Sequence, residues 1–180
     1  MIIQNKKLQQ KILKMFNKDQ KLRKLAIDNS QNKKLFKKVY EMDGQHLGEI
    51  KKIIKKYGWP TFNLVGKRAS NGFWALIQHA DRDLDFQKKC LKLLSVAAKK
   101  GQVKMSNVAY LTDRIRAAEG KKIKFGTQYL IKNGKPIIKP VMDLKNLEKL
   151  RKQYGMETIV QQTKRIKREY AKLLKASIKK

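Results

Sequence analysis

The stretch FWALIQHADRDLDFQ, Phe73–Gln87, joins two helical patterns through a polar corner. Apolar residues recur at helical spacing before the corner, in a pattern that begins at about residue 67 and ends at about residue 80. A second helix is predicted after the corner, over about residues 85–99. Polar groups cost free energy to bury without partners, so the corner is either a functional site or a polar network that links two helices.

The remaining patterns are helical, with one exception. Further helices are predicted over about 6–26, 35–40, 47–57, 106–118, 143–154 and from 158 onward, with an interruption at Asp43-Gly44. The exception is a hairpin at about residues 122–140, because Asn133-Gly134 between two apolar runs is the strongest short-range hairpin signal. The expected fold class is therefore mainly α (α+β), a compact helical domain with one hairpin and long basic terminal helices. The expected divisions are a basic N-terminal helix (1–27), a core (28–156) and a basic C-terminal helix (157–180).

Composition limits the class of protein. The chain has 180 residues, of which 41% are hydrophobic, so it has enough apolar material for a core. A single cysteine excludes an internal disulfide and cannot alone hold a structural zinc ion. No apolar run approaches the ~20 residues that span a bilayer, and the N-terminal segment lacks the apolar region of a signal peptide. We therefore expect no transmembrane segment and a location in the cytoplasm.

The charge is extreme: 45 Lys+Arg against 14 Asp+Glu give a formal net charge of +31. This excess predicts affinity for polyanions, including non-specific binding to nucleic acid. The alternative is a lysine-rich proteome, although such a bias alone should also raise the number of acids. The basic residues are spread along the chain and are mostly Lys, and the sequence has no RNP pattern, zinc-finger spacing or obvious recognition helix.

His79 is the first candidate for chemistry. Helical geometry places it beside Gly72 and Ala75, two small residues that predict a shallow groove. It is either a general base or a helix-end histidine that satisfies unpaired carbonyls. Asp81 either orients His79 or caps the next helix. Gln87 lies on the apolar shoulder of its helix and needs a partner, so we expect it to reach back to the Gln78–Asp81 corner.

Asp113 is the second candidate. It points away from the apolar stripe of its helix and lies one turn from Ala109 and from Ala117. If another segment covers this face, Asp113 is a buried acceptor for a backbone donor, an Arg or His79; otherwise it is an exposed acid. In the hairpin, Gly126 allows a close backbone approach, and Gln128 after it offers an amide.

Several short motifs in a fixed order resemble a known family. They are GWPT (58–61), VGKRAS (65–70), QHAD (78–81), AYLTDR (109–114) and FGTQ (125–128). Together, over roughly residues 25–170, they resemble a family of small, mostly bacterial proteins known as domain of unknown function 6624. The resemblance implies a polar signature of Trp59, Gln78, His79, Asp81, Gln87, Asp113, Arg114 and Gln128. It implies no established activity, and Ile123 and Phe125 stand where the family commonly has Gln and Tyr.

Three functions stay open at this point. The first is a hydrolase or group-transfer enzyme for a small polar substrate, in which His79 is the general base and Asp113 or Asp81 orients it. Arg114 and Gln128 would then hold an anionic or carbonyl oxygen. The remaining members of the signature, Gln78, Gln87 and Trp59, would line the substrate site.

The second is a binding module, toxin-neutralising or regulatory, with an acidic protein as partner, and the third is a nucleic-acid-associated basic protein. One candidate histidine and scattered carboxylates make a poor transition-metal site, so no metal or cofactor is predicted, with Mg²⁺ on Asp81 and Asp113 left open.

Overall fold

The structure is a computed structural model that describes residues 2–178, with side chains described through Leu174. Over these residues the chain forms seven helices and one antiparallel hairpin, which confirms the predicted fold class. The elements are α1 (Lys6–Asp28), α2 (Lys33–Tyr57), α3 (Phe62–Gln78), α4 (Leu84–Lys99), α5 (Met105–Ala118), β1 (Tyr129–Lys132), β2 (Lys135–Ile138), α6 (Leu147–Gln153) and α7 (Ile159–Ile178).

The chain divides into two compact units, Met1–Lys104 with α1–α4 and Met105–Lys180 with the remaining elements. The sequence-based division into terminal helices and a core, at residues 27 and 156, stays a prediction. Residues 179–180 of the predicted C-terminal helix lie outside the described residues. Among the described helices, none is long and apolar enough to cross a membrane, although α1, α2 and α7 have 23, 25 and 20 residues.

In the first unit, polar side chains cap the helices. Asn5, Thr61 and Asp83 each accept a hydrogen bond from a backbone N–H three residues on, and Asn32 accepts from two successive N–H groups. Helix α2 then continues unbroken to Tyr57, so the predicted interruption at Asp43-Gly44 is wrong. A mid-helix glycine costs only about 1 kcal/mol, and burial of the apolar stripe of α2 offsets that cost.

Helix α1 packs against α3 and α2 through its apolar face. Leu8 and Ile12 are buried on that face, and Phe16 lies against Gly72 of α3. A Cβ at position 72 would lie 2.9 Å from Phe16 Cγ, so the small residue allows α1 to approach closely. The groove predicted beside Gly72 is therefore filled by an aromatic ring.

In the second unit, the hairpin has the predicted turn but shorter strands. Tyr129 pairs with Ile138 and Lys132 pairs with Lys135. The turn residues Asn133 and Gly134 have φ angles of 50° and 67°, as a type I′ turn requires. The segment before β1 pairs only through a bridge of Ile123 with Val141 and a hydrogen bond from Lys139 N to Gln128 O, and otherwise forms a loop that crosses α5.

Candidate functional site

His79, at the C-terminal end of α3, forms a hydrogen-bonded pair with Asp19 of α1. His79 Nδ1 lies 3.0 Å from Asp19 Oδ1. The Asp19 side chain is fully buried, whereas 23% of the His79 side chain is exposed. Because an ionised carboxylate only accepts hydrogen bonds, Nδ1 donates to Asp19, and in the neutral imidazole the free lone pair is therefore on Nε2. The pair therefore holds an imidazole in one tautomer with its basic nitrogen on the edge away from Asp19.

Asp19 is held in its ionised form. Burial opposes ionisation, but the hydrogen bond and charge of His79, together with Arg23, outweigh burial and place the pKa of Asp19 below its ordinary value of 3.8. Arg23 Nε donates to Asp19 Oδ1 at 2.9 Å, and Gln20 Nε2 donates to Oδ2 at 2.8 Å. Arg23 also donates through Nη2 to Asp43 of α2. The carboxylate therefore has three donors and links three helices.

His46 of α2 lies within electrostatic reach of the same groups. It is 7% exposed, and its Nδ1 has no hydrogen-bond partner among the described residues. Burial lowers the pKa of His46 below its ordinary 6.5, against the opposing attraction of Asp19 and Asp43. His46 is thus neutral at pH 7. The polar cluster beside it consists of Asp19, Arg23, Asp43 and His79.

Of this cluster, the sequence motifs indicated His79 alone. Asp19 lies on the buried stripe of α1, in line with Ile12 and Met15. A carboxylate at a core position of a basic helix is a signal that could have identified it. His46 lies on the stripe of α2 between Met42 and Ile50, but the presumed interruption of α2 concealed that periodicity.

The corner after α3 is organised by Gln87 of α4. The Gln87 side chain is fully buried, and its Nε2 lies 2.9 Å from Ile77 O, 3.5 Å from Gln78 O and 3.2 Å from Asp81 Oδ1. This is the predicted link from Gln87 back to the corner. Besides His46 Nδ1, the buried side-chain atoms without a hydrogen-bond partner among the described residues are Gln87 Oε1, Gln78 Nε2 and Trp59 Nε1. Trp59 packs edge-on against Phe73, with ring centroids 5.5 Å apart.

In the second unit, Asp113 binds the loop that precedes β1. Its carboxylate accepts from the backbone N–H groups of Lys124 (2.7 Å), Phe125 (3.0 Å) and Thr127 (2.9 Å), and from Thr127 Oγ1 (3.0 Å). Of the three partners expected for a covered Asp113, the structure has the backbone donor. The side chain is fully buried, so these contacts supply an internal anchor for the loop.

The other side of this loop rests on Arg151 of α6. This arginine is fully buried, and its guanidinium donates to Phe125 O, to Glu157 O and to Gln162 Oε1. Gln162 Nε2 in turn donates to Gly126 O at 2.9 Å. Buried donors and acceptors thus satisfy one another across α6, α7 and the loop.

Gln128 and Arg114 lie outside the centre of this network. Gln128 is half-buried, and its Nε2 lies 3.4 Å from Thr127 Oγ1, which itself donates to Asp113. Arg114 is half-buried on α5 and has an interaction partner. The predicted site residues therefore do not form one cluster: His79 pairs with Asp19, Gln87 joins the Gln78–Asp81 corner, and Asp113 anchors the loop beside Gln128, whereas Trp59 packs against Phe73. No group of three or more His, Cys, Asp or Glu side chains suited to a metal ion occurs in the part of the chain that the structure describes.

The fold and these contacts define a mainly helical protein with one hairpin, in which each unit encloses a polar network. The chain belongs to a family of unknown function, DUF6624, whose model matches residues 6–175. The resemblance stated from the sequence motifs is therefore confirmed. Comparison with curated proteins gave no match, and comparison with solved structures gave none.

Proposed function

We propose that this protein is a hydrolase or group-transfer enzyme for a small polar substrate, with His79 as its general base. The observation that carries the proposal is the hydrogen bond from the partly exposed His79 to the fully buried, ionised Asp19. A general base needs an oriented imidazole with one nitrogen lone pair available, and this pair supplies both. Asp19, rather than Asp113 or Asp81, takes the orienting role.

The chemistry follows from the tautomer. His79 Nε2 accepts a proton from water or a substrate hydroxyl, whose oxygen then attacks an acyl or phosphoryl centre. The imidazolium that forms is stabilised by Asp19, and its proton passes to the leaving group. A buried carboxylate with polar partners adds little net stability compared with apolar residues, so stability alone is a weak reason for this arrangement.

The test compares wild type with His79→Gln on chromogenic esters, amides and phosphoesters and on a metabolite mixture followed by mass spectrometry. Loss of a general base should lower turnover by about 10²–10⁴-fold at unchanged fold. Equal turnover in wild type and His79→Gln, or no turnover by the wild type of any compound, would count against the proposal.

Asp19→Asn tests the positioning role of Asp19. Because asparagine does not fix the imidazole proton on Nδ1, kcat should fall with little change in KM. Asp85→Asn is the matched control, since 94% of the Asp85 side chain is exposed on α4, where it pairs with Lys88. A purely structural role for Asp19 would lower the free energy of unfolding without lowering kcat of the folded protein.

A second candidate function is polyanion binding, favoured by a basic cleft of about 410 Å³ between α1 and α2. Its lining residues are Asn5, Lys7, Leu8, Lys11, Lys52, Ile53, Lys56 and Tyr57. Four ammonium groups around apolar side chains suit an anionic partner, although Glu49 pairs with Lys11 and Lys52.

Affinity for RNA and DNA at physiological salt, compared with heparin, tests this candidate. Binding that persists and prefers a nucleic acid would support it. Equal loss of binding to RNA, DNA and heparin would leave only non-specific charge attraction. Binding to an acidic protein, with no binding to these three polyanions, would favour the binding-module alternative.

A further inference from the structure

Arg82 is a pre-positioned guanidinium close to His79 in sequence. It lies three residues after His79, in the corner between α3 and α4. Its Cζ lies 3.3 Å from the centroid of the Tyr40 ring of α2, so the guanidinium stacks on the aromatic face. Stacking fixes the guanidinium plane and leaves its N–H donors for other partners.

Gly44 makes room for this guanidinium on α2. A Cβ at position 44 would collide with Arg82 Nη1 and would lie 3.4 Å from Arg82 Cζ. Alanine is more favourable than glycine in a helix interior, so the glycine lowers the intrinsic stability of α2. In return, the guanidinium lies directly against the helix.

The charge of Arg82 is not neutralised by a carboxylate of the described residues, in contrast to Arg23. Arg23 is paired with Asp19 and with Asp43. Arg82 makes the stacking contact but no ion pair within the described part of the chain. Gly44, against which Arg82 lies, is next to Asp43 in α2. Asp43 accepts a hydrogen bond from Arg23, and Arg23 also donates to Asp19, the partner of His79.

We propose that Arg82 binds an anionic group of the substrate, a carboxylate or a phosphoryl group, at the His79 site. A stacked guanidinium presents parallel N–H donors that match two oxygens of either group. This inference rests on the proposed function and narrows its substrate class: the small polar substrate is an anion. Arg82 then holds the anionic group while His79 acts on water or a hydroxyl at the neighbouring electrophilic centre.

The test uses arginine Nε–Hε signals in ¹H–¹⁵N NMR spectra, with inorganic phosphate and acetate titrated separately at physiological salt. We expect a saturable shift of the Arg82 signal. Arg82→Gln should weaken binding of the preferred anion by about tenfold or more, the scale of one charge-assisted contact. Arg68→Gln is the matched control, since it removes the same charge from an exposed position on α3. A stronger effect of phosphate or of acetate identifies the group that the site prefers.

Gly44→Ala separates binding from stability. Because the atom in conflict is the end of a flexible side chain, the added methyl group should displace the guanidinium at little cost in stability. We expect a several-fold loss of anion affinity, with the free energy of unfolding unchanged or raised. Equal effects of Arg82→Gln and Arg68→Gln, or an Arg82 signal that phosphate and acetate leave unmoved, would overturn the inference.

The two proposals fail in different ways. His79→Gln should lose turnover and keep anion binding, whereas Arg82→Gln should raise KM with a smaller effect on kcat. If Arg82 binds anions but His79→Gln keeps full activity, the general-base role of His79 is refuted and the anion site stands. If His79→Gln loses turnover but Arg82 binds no anion, the anionic substrate class is refuted and the general-base role stands.

Discussion

Replacing Asp113 by Asn should detach the loop before β1 from α5. In the wild type, the Thr127 N–H donates to Asp113 Oδ2 at 2.9 Å. The asparagine amide keeps one acceptor oxygen but turns an NH₂ group, which cannot accept, toward this N–H. A hydrogen bond to a charged group contributes about 1.5–3 kcal/mol, and a buried donor left unsatisfied costs about 1–3 kcal/mol. Asp113 is fully buried, so water cannot compensate without an opening of the loop. We therefore expect a loss of about 3–5 kcal/mol in the stability of the second unit.

Amide hydrogen exchange measures this loss at the relevant groups. The Lys124, Phe125 and Thr127 amides donate to Asp113 in the wild type and should exchange faster in Asp113→Asn. Hydrogen exchange distinguishes local opening of the loop from global unfolding. A single denaturation midpoint cannot make this distinction in a chain of two units. Urea unfolding followed by circular dichroism gives the total change.

Asp143→Asn is the control for this prediction. Asp143 is exposed in the same unit and accepts two hydrogen bonds from Asn146, at 3.1 and 2.8 Å. Its substitution should cost about 1 kcal/mol or less. If Asp113→Asn costs no more than this control and leaves exchange at Lys124, Phe125 and Thr127 unchanged, Asp113 does not anchor the loop, and its predicted catalytic role regains support.

Three further predictions concern pH, thiol reactivity and backbone conformation. Burial lowers the pKa of His46 below 6.5, so the contribution of His46 to stability is fully present above pH 6.5 and is lost as pH falls through the folded-state pKa. The pKa of Asp19 is also lowered in the folded state, so Asp19 adds a second loss of stability below pH 3.8. Urea unfolding between pH 7.5 and 3 should show this decline, and His46→Leu should flatten its upper part; an unchanged slope in that variant would contradict the assignment. Burial raises the pKa of the Cys90 thiol to about 12, so a thiol reagent at pH 8 should label native protein far more slowly than unfolded protein, and equal rates would show that the site is open. Gly126→Ala places a Cβ at φ 71° and 2.8 Å from a methyl group of α7, and should cost about 2 kcal/mol or more in urea unfolding. Gly120→Ala shares the positive φ (70°) but meets no atom within 4 Å, so an equal cost in both variants would show that backbone strain alone is responsible.

Local signals in the sequence were sufficient for most elements. Asn133-Gly134 fixes a hairpin turn because both residues accept positive φ at low cost. The start of α7 follows from Thr158, which exchanges hydrogen bonds with Gln161, and the end of α2 from Gly58. Gln87 was linked correctly to its corner because both partners belong to one helix–turn–helix segment.

Errors arose where a local signal competed with burial. Asp43-Gly44 resembles a break, yet α2 continues because its apolar stripe is buried on both sides of the glycine. The groove beside Gly72 was inferred from small residues on one helix, whereas Phe16 of another helix fills it. A small side chain marks a close approach, but the sequence does not say what approaches.

The candidate site shows this limit most clearly. Helical periodicity alone shows that His79 ends an apolar helix and that Asp113 points away from its apolar stripe. Their partners depend on how the helices pack: His79 binds Asp19, 60 residues away, and Asp113 binds the loop amides. Periodicity fixes the direction of a side chain relative to its own helix, whereas a hydrogen bond between helices depends on which faces are buried together. Apolar burial over the whole unit determines which faces pack together, and residue spacing along the chain does not reveal it.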